Sequence, residues 1–359
     1  MGIPGLWPLV ESTAQVMSFA DLCVIEGFIQ QTRSTGTIII GVDAGLWMAQ
    51  SQSVFHKPQH SQMGQNPELR VLFYKLGALN QVGCQALFVF DGPERPSVKR
   101  NKQVKAKPHW LVKEFTQLIE LFGFHHHTAP GEADAELAYL NRFGHIDAIL
   151  SDDSDVTLFG GGRIIRRFNR DEITVYTAVA LETGMGLTQG GLLLIALFSG
   201  GDYNPGGIIG CGIKTAYALA RCGFGDALLA SCRNDSVEDL RHFLVEWRKQ
   251  VRTELRTNSR GYLTTKQPRL ASLIPDSFPN VKTLKLYACP VTSWSPGFAI
   301  PPAATWVVQM PDVQGLAAFC TQKFGWSAVD LRNKYRRIVF PGAFLRRLTL
   351  ASSFCTPKH

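Results

Sequence analysis

The amino-acid sequence predicts an α/β fold, in which a mainly parallel central sheet is flanked by helices. Over the first 200 residues, short apolar runs alternate with segments of helical periodicity. Three of these runs, residues 37–42, 86–90 and 146–150, are rich in β-branched and aromatic side chains and lead directly into acidic residues. Their length and composition favour buried strands over helices.

The helical part of the chain begins before residue 200. The sequence predicts a helix over 192–198, ahead of Gly200-Gly201-Asp202, and then a helix, a tight glycine turn and a second helix over 206–222. Residues 236–256 give the clearest helical pattern, with apolar and basic side chains on opposite faces. The apolar face comprises Leu240, Phe243, Leu244, Trp247, Val251 and Leu255, and the basic face Arg241, Arg248, Lys249, Arg252 and Arg256.

The C-terminal part is organised differently. Residues 257–310 contain many prolines and little periodicity, so we expect extended segments that wrap over the core. Helical patterns return over 313–324 and 328–337. These shifts divide the chain into a core (residues 1–205), a glycine turn with its basic helix (206–260) and a C-terminal extension (261–359).

Composition excludes several classes of protein. With 359 residues, 45% hydrophobic and 18% charged, the chain is globular rather than disordered. No apolar run is long enough to cross a bilayer, and the first 20 residues do not resemble a signal peptide. The eight cysteines form no C-x-x-C pair, which predicts neither zinc nor disulfides and favours a reducing, intracellular compartment. The net charge of +8 suggests a polyanionic partner.

The main chemical signal is a set of acidic residues at the ends of predicted elements. In an open α/β sheet, sites form beyond the carboxyl ends of the strands, where several carboxylates would meet. Taken alone, each acid also fits a strand end or a helix N-terminus. Taken together, they would repel one another unless divalent cations such as Mg²⁺ or Mn²⁺ hold them. The set is Asp43, Asp91, Glu132, Asp134, Asp153, Asp155 and Asp202.

These motifs resemble the XPG/flap-endonuclease family of structure-selective nucleases. The matching stretches occur in family order over residues 1–225: MGIPGLW at the N-terminus, GVDA around Asp43, FVFDG around Asp91, APGEADA around Glu132, SDDSD at 151–155 and GDY around Asp202. The resemblance implies that the seven acids are the catalytic, metal-binding residues of a two-Mg²⁺ site, where Mn²⁺ can substitute. Asp134 departs from the family, which usually has Glu there.

The family also has a Lys and an Arg shortly after the strand that ends in Asp91. The spacing is altered here, and Lys99 and Arg100 are the best candidates for these catalytic positions. Arg95 and Lys102 are alternatives, and a solvated basic run without catalytic role is the simpler reading.

Residues 207–215 approach a phosphate-binding NTPase loop, but Ile213 separates the last glycine from the lysine and no strand precedes them. The stretch is more similar to the family's helix–two-turn–helix, which binds duplex phosphates and holds a K⁺ ion. The resemblance implies DNA binding by Gly2, Gly210, Gly212, Lys214 and Thr215. Arg248 and Arg252 of the basic helix are further DNA-binding candidates, with a solvated face as the alternative.

Two features favour the eukaryotic Holliday-junction-resolving branch of the family. Asp91 and Glu132 are separated by only 41 positions (91 to 132), too few for the helical arch of flap endonucleases. Residues 306–326 also resemble that branch, whose members carry a further C-terminal domain that we do not recognise here. We therefore expect a nuclear, Mg²⁺-dependent endonuclease that resolves four-way junctions by paired nicks and also cuts 5′ flaps and replication forks.

The expected protein is a monomer in solution that pairs on a junction, without membrane contact. The alternatives are a flap endonuclease or 5′ exonuclease of replication and repair, and a non-catalytic junction-binding protein.

Overall fold

The computed structural model describes residues 2–30, 33, 36–53, 65–104, 109–168 and 171–355. Part of the interval between Asp91 and Glu132, residues 105–108, therefore lies outside the described residues. The strands are β1 Gln15–Met17, β2 Ile39–Asp43, β3 Gln85–Phe90, β4 Val98–Lys99, β5 Lys102–Gln103, β6 His125–Thr128, β7 Ala148–Leu150, β8 Arg163–Arg166 and β9 Ile173–Thr177.

The predicted, mainly parallel sheet is confirmed. Within the described residues, seven strands form one sheet in the order β1-β9-β8-β7-β2-β3-β6. The five strands from β8 to β6 run parallel, whereas β9 is antiparallel to both β8 and β1. Strands β2 and β3 are buried along their whole length, which explains their unbroken apolar runs. The first run ends one residue later than predicted, because Asp43 is the last residue of β2.

Helices cover both faces of this sheet and form the C-terminal half. They are α1 Leu6–Val10, α2 Phe19–Leu22, α3 Ala44–Ser53, α4 Pro67–Gln81, α5 Val112–Leu121, α6 Ala133–Arg142, α7 Asp155–Leu158, α8 Ala178–Met185, α9 Gln189–Ser199, α10 Ile213–Ala220, α11 Phe224–Asn234, α12 Val237–Thr257, α13 Pro268–Leu273, α14 Val281–Ala288, α15 Val313–Phe324, α16 Ala328–Lys334 and α17 Phe340–Cys355.

The helices predicted over 192–198, 236–256, 313–324 and 328–337 are present. Of the two helices predicted over 206–222 only α10 forms, because Gly207 and Gly210 adopt positive φ angles that a right-handed helix does not contain. Helix α12 begins after Ser236, whose side chain accepts a hydrogen bond from Asp239 N, and its predicted apolar face is buried except for the half-buried Phe243. Helix α9 is longer than predicted and is packed in the core. Among the described residues, no single helix is long and apolar enough to cross a membrane; α8 and α9 meet that requirement only together, with a bend of 79° between them.

The expectation for residues 257–310 is wrong in part, because this segment contains α13 and α14. Pro268 occupies the first turn of α13, where a missing N–H costs no hydrogen bond, and Asn280 caps α14 by accepting from Lys282 N and Thr283 N. Six and eight residues are too short for periodicity to identify a helix. Both pack against the core through buried side chains such as Leu270, Leu284 and Tyr287.

Helix α17, which the sequence did not predict, is attached by a buried arginine to the end of α5 and to the segment before α15. Arg346 is fully buried, and its Nη1 donates to the carbonyls of Phe122 (2.9 Å) and Gln309 (2.8 Å). Its guanidinium also lies 4.5 Å from the ring centroid of Phe124. Burial lowers the pKa of Arg346 to about 10, so the side chain remains charged at neutral pH.

Replacing this arginine should destabilise the fold. Arg346→Ala leaves the buried carbonyl of Phe122 and the partly buried carbonyl of Gln309 without their donor, so we expect the free energy of unfolding in urea to fall by about 3 kcal/mol. The neighbouring Arg347 is exposed, and Arg347→Ala is the matched control, with an expected change within about 0.5 kcal/mol. Equal losses for the two variants would contradict this role.

Candidate active site

Four of the carboxylates lie at one edge of the sheet, because they follow or end parallel strands. Strands β7, β2 and β3 are neighbours and parallel, so their carboxyl ends share an edge. Asp43 ends β2, Asp91 follows β3, and Asp153 and Asp155 follow β7. Local capping accounts for their positions, because Asp43 Oδ1 accepts from Leu46 N at 3.0 Å at the start of α3 and Asp153 Oδ1 accepts from Asp155 N at 3.1 Å.

Helices α6 and α9 contribute the remaining acids. Glu132 is the N-cap residue of α6 and Asp134 lies in its first turn, and both are buried. Asp91 Oδ1 accepts from Ala133 N at 2.9 Å, which ties the end of β3 to the start of this helix. Asp202 is buried in the turn that follows α9.

The electrostatics indicate that these acids converge. Burial, and then the charge of Asp91, raise the pKa of the Asp43 carboxyl to about 7. Burial and the charge of Asp153 raise the pKa values of Asp134 and Asp155 well above the ordinary value for an aspartate. Burial likewise raises the pKa values of Glu132 and Asp153. The seven carboxylates predicted from the sequence therefore lie within electrostatic reach of one another.

A two-stranded hairpin brings the positively charged side chains of Lys99 and Arg100 to this cluster. Lys99 and Lys102 pair across β4 and β5, and the turn between them has φ angles of 50° at Arg100 and 59° at Asn101. Lys99 forms an ion pair with Glu132 and has its Nζ 3.8 Å from Asp202 Oδ2. Burial alone would lower the pKa of Lys99, but the charges of Glu132 and Asp134 outweigh it and raise the pKa.

Arg100 is attached to the same aspartate, Asp202. Its Nε donates to Asp202 Oδ1 at 2.6 Å, and its backbone N donates to Asp202 O at 2.7 Å. Of the alternatives, Arg95 pairs with Asp91 at 3.1 Å and Lys102 is exposed. Lys99 and Arg100 are thus the two basic side chains of this stretch that contact Glu132 and Asp202.

The donor set suits a hard divalent cation. Asp134 Oδ1 and Asp155 Oδ1 are buried oxygens without a hydrogen-bond partner among the described residues. Such orphaned oxygens are costly unless a cation or a proton satisfies them. In the same part of the chain, no group of three or more His, Cys, Asp or Glu side chains is already arranged to hold an ion. The carboxylates therefore have the chemistry for Mg²⁺ or Mn²⁺, with Lys99 turned into the cluster.

The predicted DNA-binding residues lie in two places. Gly2 packs against the acidic loop, since a Cβ built on it would lie 2.4 Å from Asp153 Oδ1. Gly210, at φ 84°, and Gly212, the N-cap residue of α10, have no protein atom within 4 Å of such a Cβ. Lys214 is exposed and Thr215 half-buried in the first turn of α10.

Arg248 and Arg252 have hydrogen-bond partners inside the protein. Arg248 Nη1 donates to Phe278 O at 3.0 Å, and Arg252 Nη2 donates to Ile274 O at 2.6 Å and to Asp276 at 2.7 Å. These guanidinium groups therefore bind the chain between α13 and α14. Each guanidinium keeps further N–H donors, so DNA binding by Arg248 and Arg252 stays a prediction.

Sequence reasoning missed two buried groups behind the cluster. Glu136 is fully buried on α6, one turn beyond Glu132. Tyr287 of α14 is buried beside the turn that carries Asp202. Glu136 is visible in the GEADAE stretch as an acid that continues the helix, whereas no sequence signal connects Tyr287 to the site.

Comparison with known proteins agrees with this geometry. The model of the XPG N-terminal domain matches residues 1–109, and that of the XPG I-region matches residues 123–202. Human "Flap endonuclease GEN homolog 1" is 30% identical over 252 residues, which cover 64% of this chain and 26% of the relative. The mouse protein of that name is 28% identical over 67% of this chain and 27% of its own length. The chain thus spans about a quarter of the length of these relatives.

Solved structures extend the similarity over nearly the whole chain. The Holliday junction-resolving enzyme GEN1 in complex with product DNA and a Mg²⁺ ion superimposes with a TM-score of 0.76 and 33% identity, over 98% of this chain and 80% of that one. The catalytic core of Rad2 with a DNA substrate superimposes with a TM-score of 0.68 at 22% identity, over 95% of this chain and 100% of that one, which indicates a shared fold.

The raised pKa of Asp43 predicts a specific pH dependence in the absence of divalent cations. Its carboxyl has a pKa of about 7 when folded, against 3.8 ordinarily, so its contribution to stability is complete below about pH 4 and is lost as the pH rises through 7. Asn cannot ionise, so the stability of Asp43→Asn relative to the unsubstituted protein should increase by about 3 kcal/mol between pH 4.5 and pH 7.5.

The measurement is urea denaturation in EDTA at both pH values. Glu182→Gln, which removes an exposed carboxylate of α8, is the control and should follow the unsubstituted protein. A constant difference between Asp43→Asn and the unsubstituted protein would contradict the prediction.

Proposed function

The chain belongs to the XPG family, and from this we propose that it is a structure-selective DNA endonuclease that depends on divalent cations and resolves four-way junctions. The observation that carries the proposal is the buried cluster of carboxylates, with orphaned oxygens and raised pKa values, at the carboxyl edge of the sheet. A non-catalytic junction-binding protein would have no use for this cluster, whose mutual repulsion destabilises the fold.

The cations we propose are two Mg²⁺ ions, with Mn²⁺ as a substitute. Bound divalent ions supply an activated water and stabilise the leaving oxygen of a phosphodiester. The residues that would hold them are Asp43, Asp91, Glu132, Asp134, Asp153, Asp155 and Asp202. Similar solved structures that contain Mg²⁺, or Mg²⁺ and Mn²⁺, support this choice.

Lys99 and Arg100 would hold the scissile phosphate. Both are cationic, both already contact carboxylates of the cluster, and both project from a hairpin whose turn is bonded to Asp202. With the carboxylates satisfied by divalent cations, Lys99 would no longer be needed by Glu132, and its ammonium group would donate to a phosphate oxygen. Charge-assisted hydrogen bonds of this kind orient the phosphate and stabilise the charge that develops on it.

The glycine turn before α10 would bind the duplex away from the cut. Gly210 and Gly212 leave the backbone open to a phosphate, and Lys214 and Thr215 provide side-chain donors at the helix N-terminus. A K⁺ ion in this turn is part of the proposal, supported by a similar structure of a junction-resolving enzyme with potassium. The corresponding units are the nuclease core (1–205), the DNA-binding element (206–260) and the extension (261–359).

The short interval between Asp91 and Glu132 supports a junction substrate. A four-way junction has no free 5′ end, so its strands must enter an opening that does not require threading. One cluster makes one nick, and two copies would have to meet on the two-fold axis of the junction. We therefore propose a monomer that pairs on DNA, acts in the nucleus, and also cuts 5′ flaps and forks.

A cruciform plasmid tests this proposal directly. With Mg²⁺, paired cuts before dissociation should yield linear product, whereas a single cut would relax the cruciform and leave a nicked circle. Glu132→Gln should lower cleavage at least 10³-fold and retain junction binding in Ca²⁺, because it removes one ligand charge and leaves the basic surface intact. Nicked product only, with flaps cut far faster than junctions, would favour a flap endonuclease instead.

The DNA-binding role of the glycine turn has its own test. Gly212 has an ordinary φ of −77° and open space around it, so Gly212→Val should fold normally and obstruct only an approaching ligand. We expect binding to flaps, forks and junctions to weaken alike by about tenfold, because a phosphate contact carries no sequence information. Gly184→Ala, at an exposed position of α8 without a positive φ, is the control for folding. If Gly212→Val binds all three substrates as tightly as the unsubstituted protein in gel shifts, the turn only connects two helices and does not bind DNA.

A further inference from the structure

A short C-terminal stretch, residues 287–293, crosses behind the elements that carry Glu132, Asp134 and Asp202. We call it the strap. At its first residue, Tyr287, the hydroxyl oxygen accepts a hydrogen bond from Tyr203 N at 2.9 Å, and the two tyrosine rings pack at 4.7 Å between centroids. Tyr203 directly follows Asp202. This hydrogen bond therefore fixes the backbone next to Asp202, whose carboxylate belongs to the cluster.

The packing at Gly201, on the other side of Asp202, is equally close. A Cβ built on Gly201 would lie 2.4 Å from the hydroxyl oxygen of Tyr287, which is shorter than any allowed contact. The same Cβ would lie 3.4 Å from Cζ of that ring, an ordinary van der Waals distance. The Tyr287 hydroxyl therefore occupies the space left by the missing side chain and touches both neighbours of Asp202.

The other end of the strap contacts helix α6. Val291 O would lie 2.5 Å from a Cβ built on Gly131, which immediately precedes Glu132. Ser293 N donates to Glu136 Oε2 at 2.9 Å, and this carboxylate is fully buried one turn beyond Glu132. The strap is thus attached on both sides of the cluster, at the turn of Asp202 and at the helix of Glu132 and Asp134.

We propose that the strap sets the separation between Asp202 and the carboxylates of α6, and that Tyr287 is a positioning residue for cation binding. The inference rests on the proposed function. The acids on either side of the strap repel one another, so without this attachment their elements would relax outward. Mg²⁺ accepts little distortion of its ligand geometry, and groups that orient ligands contribute strongly to metal affinity.

Tyr287 is suited to this task because its hydroxyl stays neutral. Burial raises the pKa of this hydroxyl, and the charges of Asp155 and Asp202 raise it further. A neutral hydroxyl can accept from Tyr203 N without adding another negative charge to the cluster. Neither family model that matches the chain extends beyond residue 202, so the strap lies outside both matched regions.

Tyr287→Phe is the primary test, because it removes one oxygen and keeps the ring. We expect the Mg²⁺ concentration for half-maximal junction cleavage to rise about tenfold, with the rate largely recovered at saturating Mg²⁺. Calorimetric titration with Mn²⁺ in the absence of DNA should show a similar loss of affinity. Junction binding in EDTA should not change.

Tyr335→Phe is the matched control. Its hydroxyl also bonds a backbone group, Val313 O at 3.0 Å, but far from the cluster in the C-terminal helices. It should keep the cation dependence of the unsubstituted protein. Equal cation affinities for Tyr287→Phe and Tyr335→Phe would overturn the inference.

A double-mutant cycle with Gly201 separates positioning from general packing. Gly201→Ala should push the Tyr287 hydroxyl away and weaken Mn²⁺ binding, whereas in Gly201→Ala/Tyr287→Phe the added methyl has room. The double variant should then bind Mn²⁺ no more weakly than Tyr287→Phe alone. Multiplying losses would mean that the two residues act independently, and the inference would fail.

The outcome also distinguishes this inference from the proposed function. If the unsubstituted chain does not cleave with Mg²⁺, the proposed function fails. If it does cleave and the Mn²⁺ affinity of Tyr287→Phe is unchanged, only the role of the strap is wrong.

Discussion

Mutual repulsion among buried carboxylates is the constraint on which the rest of this structure depends. Burial and neighbouring carboxylate charges raise the pKa values of Asp43, Asp134 and Asp155, and every element that carries an acid of the cluster is pushed away from its neighbours. The sheet resists this with parallel strands whose register fixes Asp43, Asp91 and Asp153 on adjacent strand ends. Backbone donors at Leu46, Ala133 and Asp155 satisfy individual oxygens, and the hairpin of Lys99 and Arg100 returns positive charge to the centre.

The sequence predicts the acidic half of this arrangement well, because each acid follows a recognisable local pattern. A buried strand is an apolar run, and the carboxyl ends of parallel strands must share an edge, so Asp43, Asp91 and Asp153 could be grouped before any coordinates. The basic side chains were harder to assign. The spacing after Asp91 left four candidates, and only the turn at Arg100–Asn101 determines that Lys99 and Arg100 face the cluster.

Long-range partners explain what could not be predicted. The basic face of α12 has the pattern of a solvated or DNA-binding surface, but Arg248 and Arg252 meet the carbonyls of a segment that returns from 30 and 22 residues further along the chain. Periodicity describes one helix and not the loop that covers it. Helices α13 and α14 were missed for a related reason, since their six and eight residues are fixed by caps and by packing rather than by a repeating pattern. The Tyr287 hydroxyl bonds to Tyr203, which lies 84 residues away in the sequence, and no local sequence pattern predicts such a contact.

The same repulsion ties folding to ligand binding. Lys99 and Arg100 offset part of the negative charge of the cluster, and under the proposed function they would also bind phosphate once divalent ions satisfy the acids. A ligand that binds only the folded state stabilises it, so cations would add stability where the carboxylates remove it. A change at Lys99 therefore alters folding and cleavage together, and lost activity cannot be assigned to phosphate binding alone. Gly212 is the opposite case, because nothing in the described protein lies within 4 Å of an added Cβ, and a change there reports on the docking of a ligand without disturbing the charges.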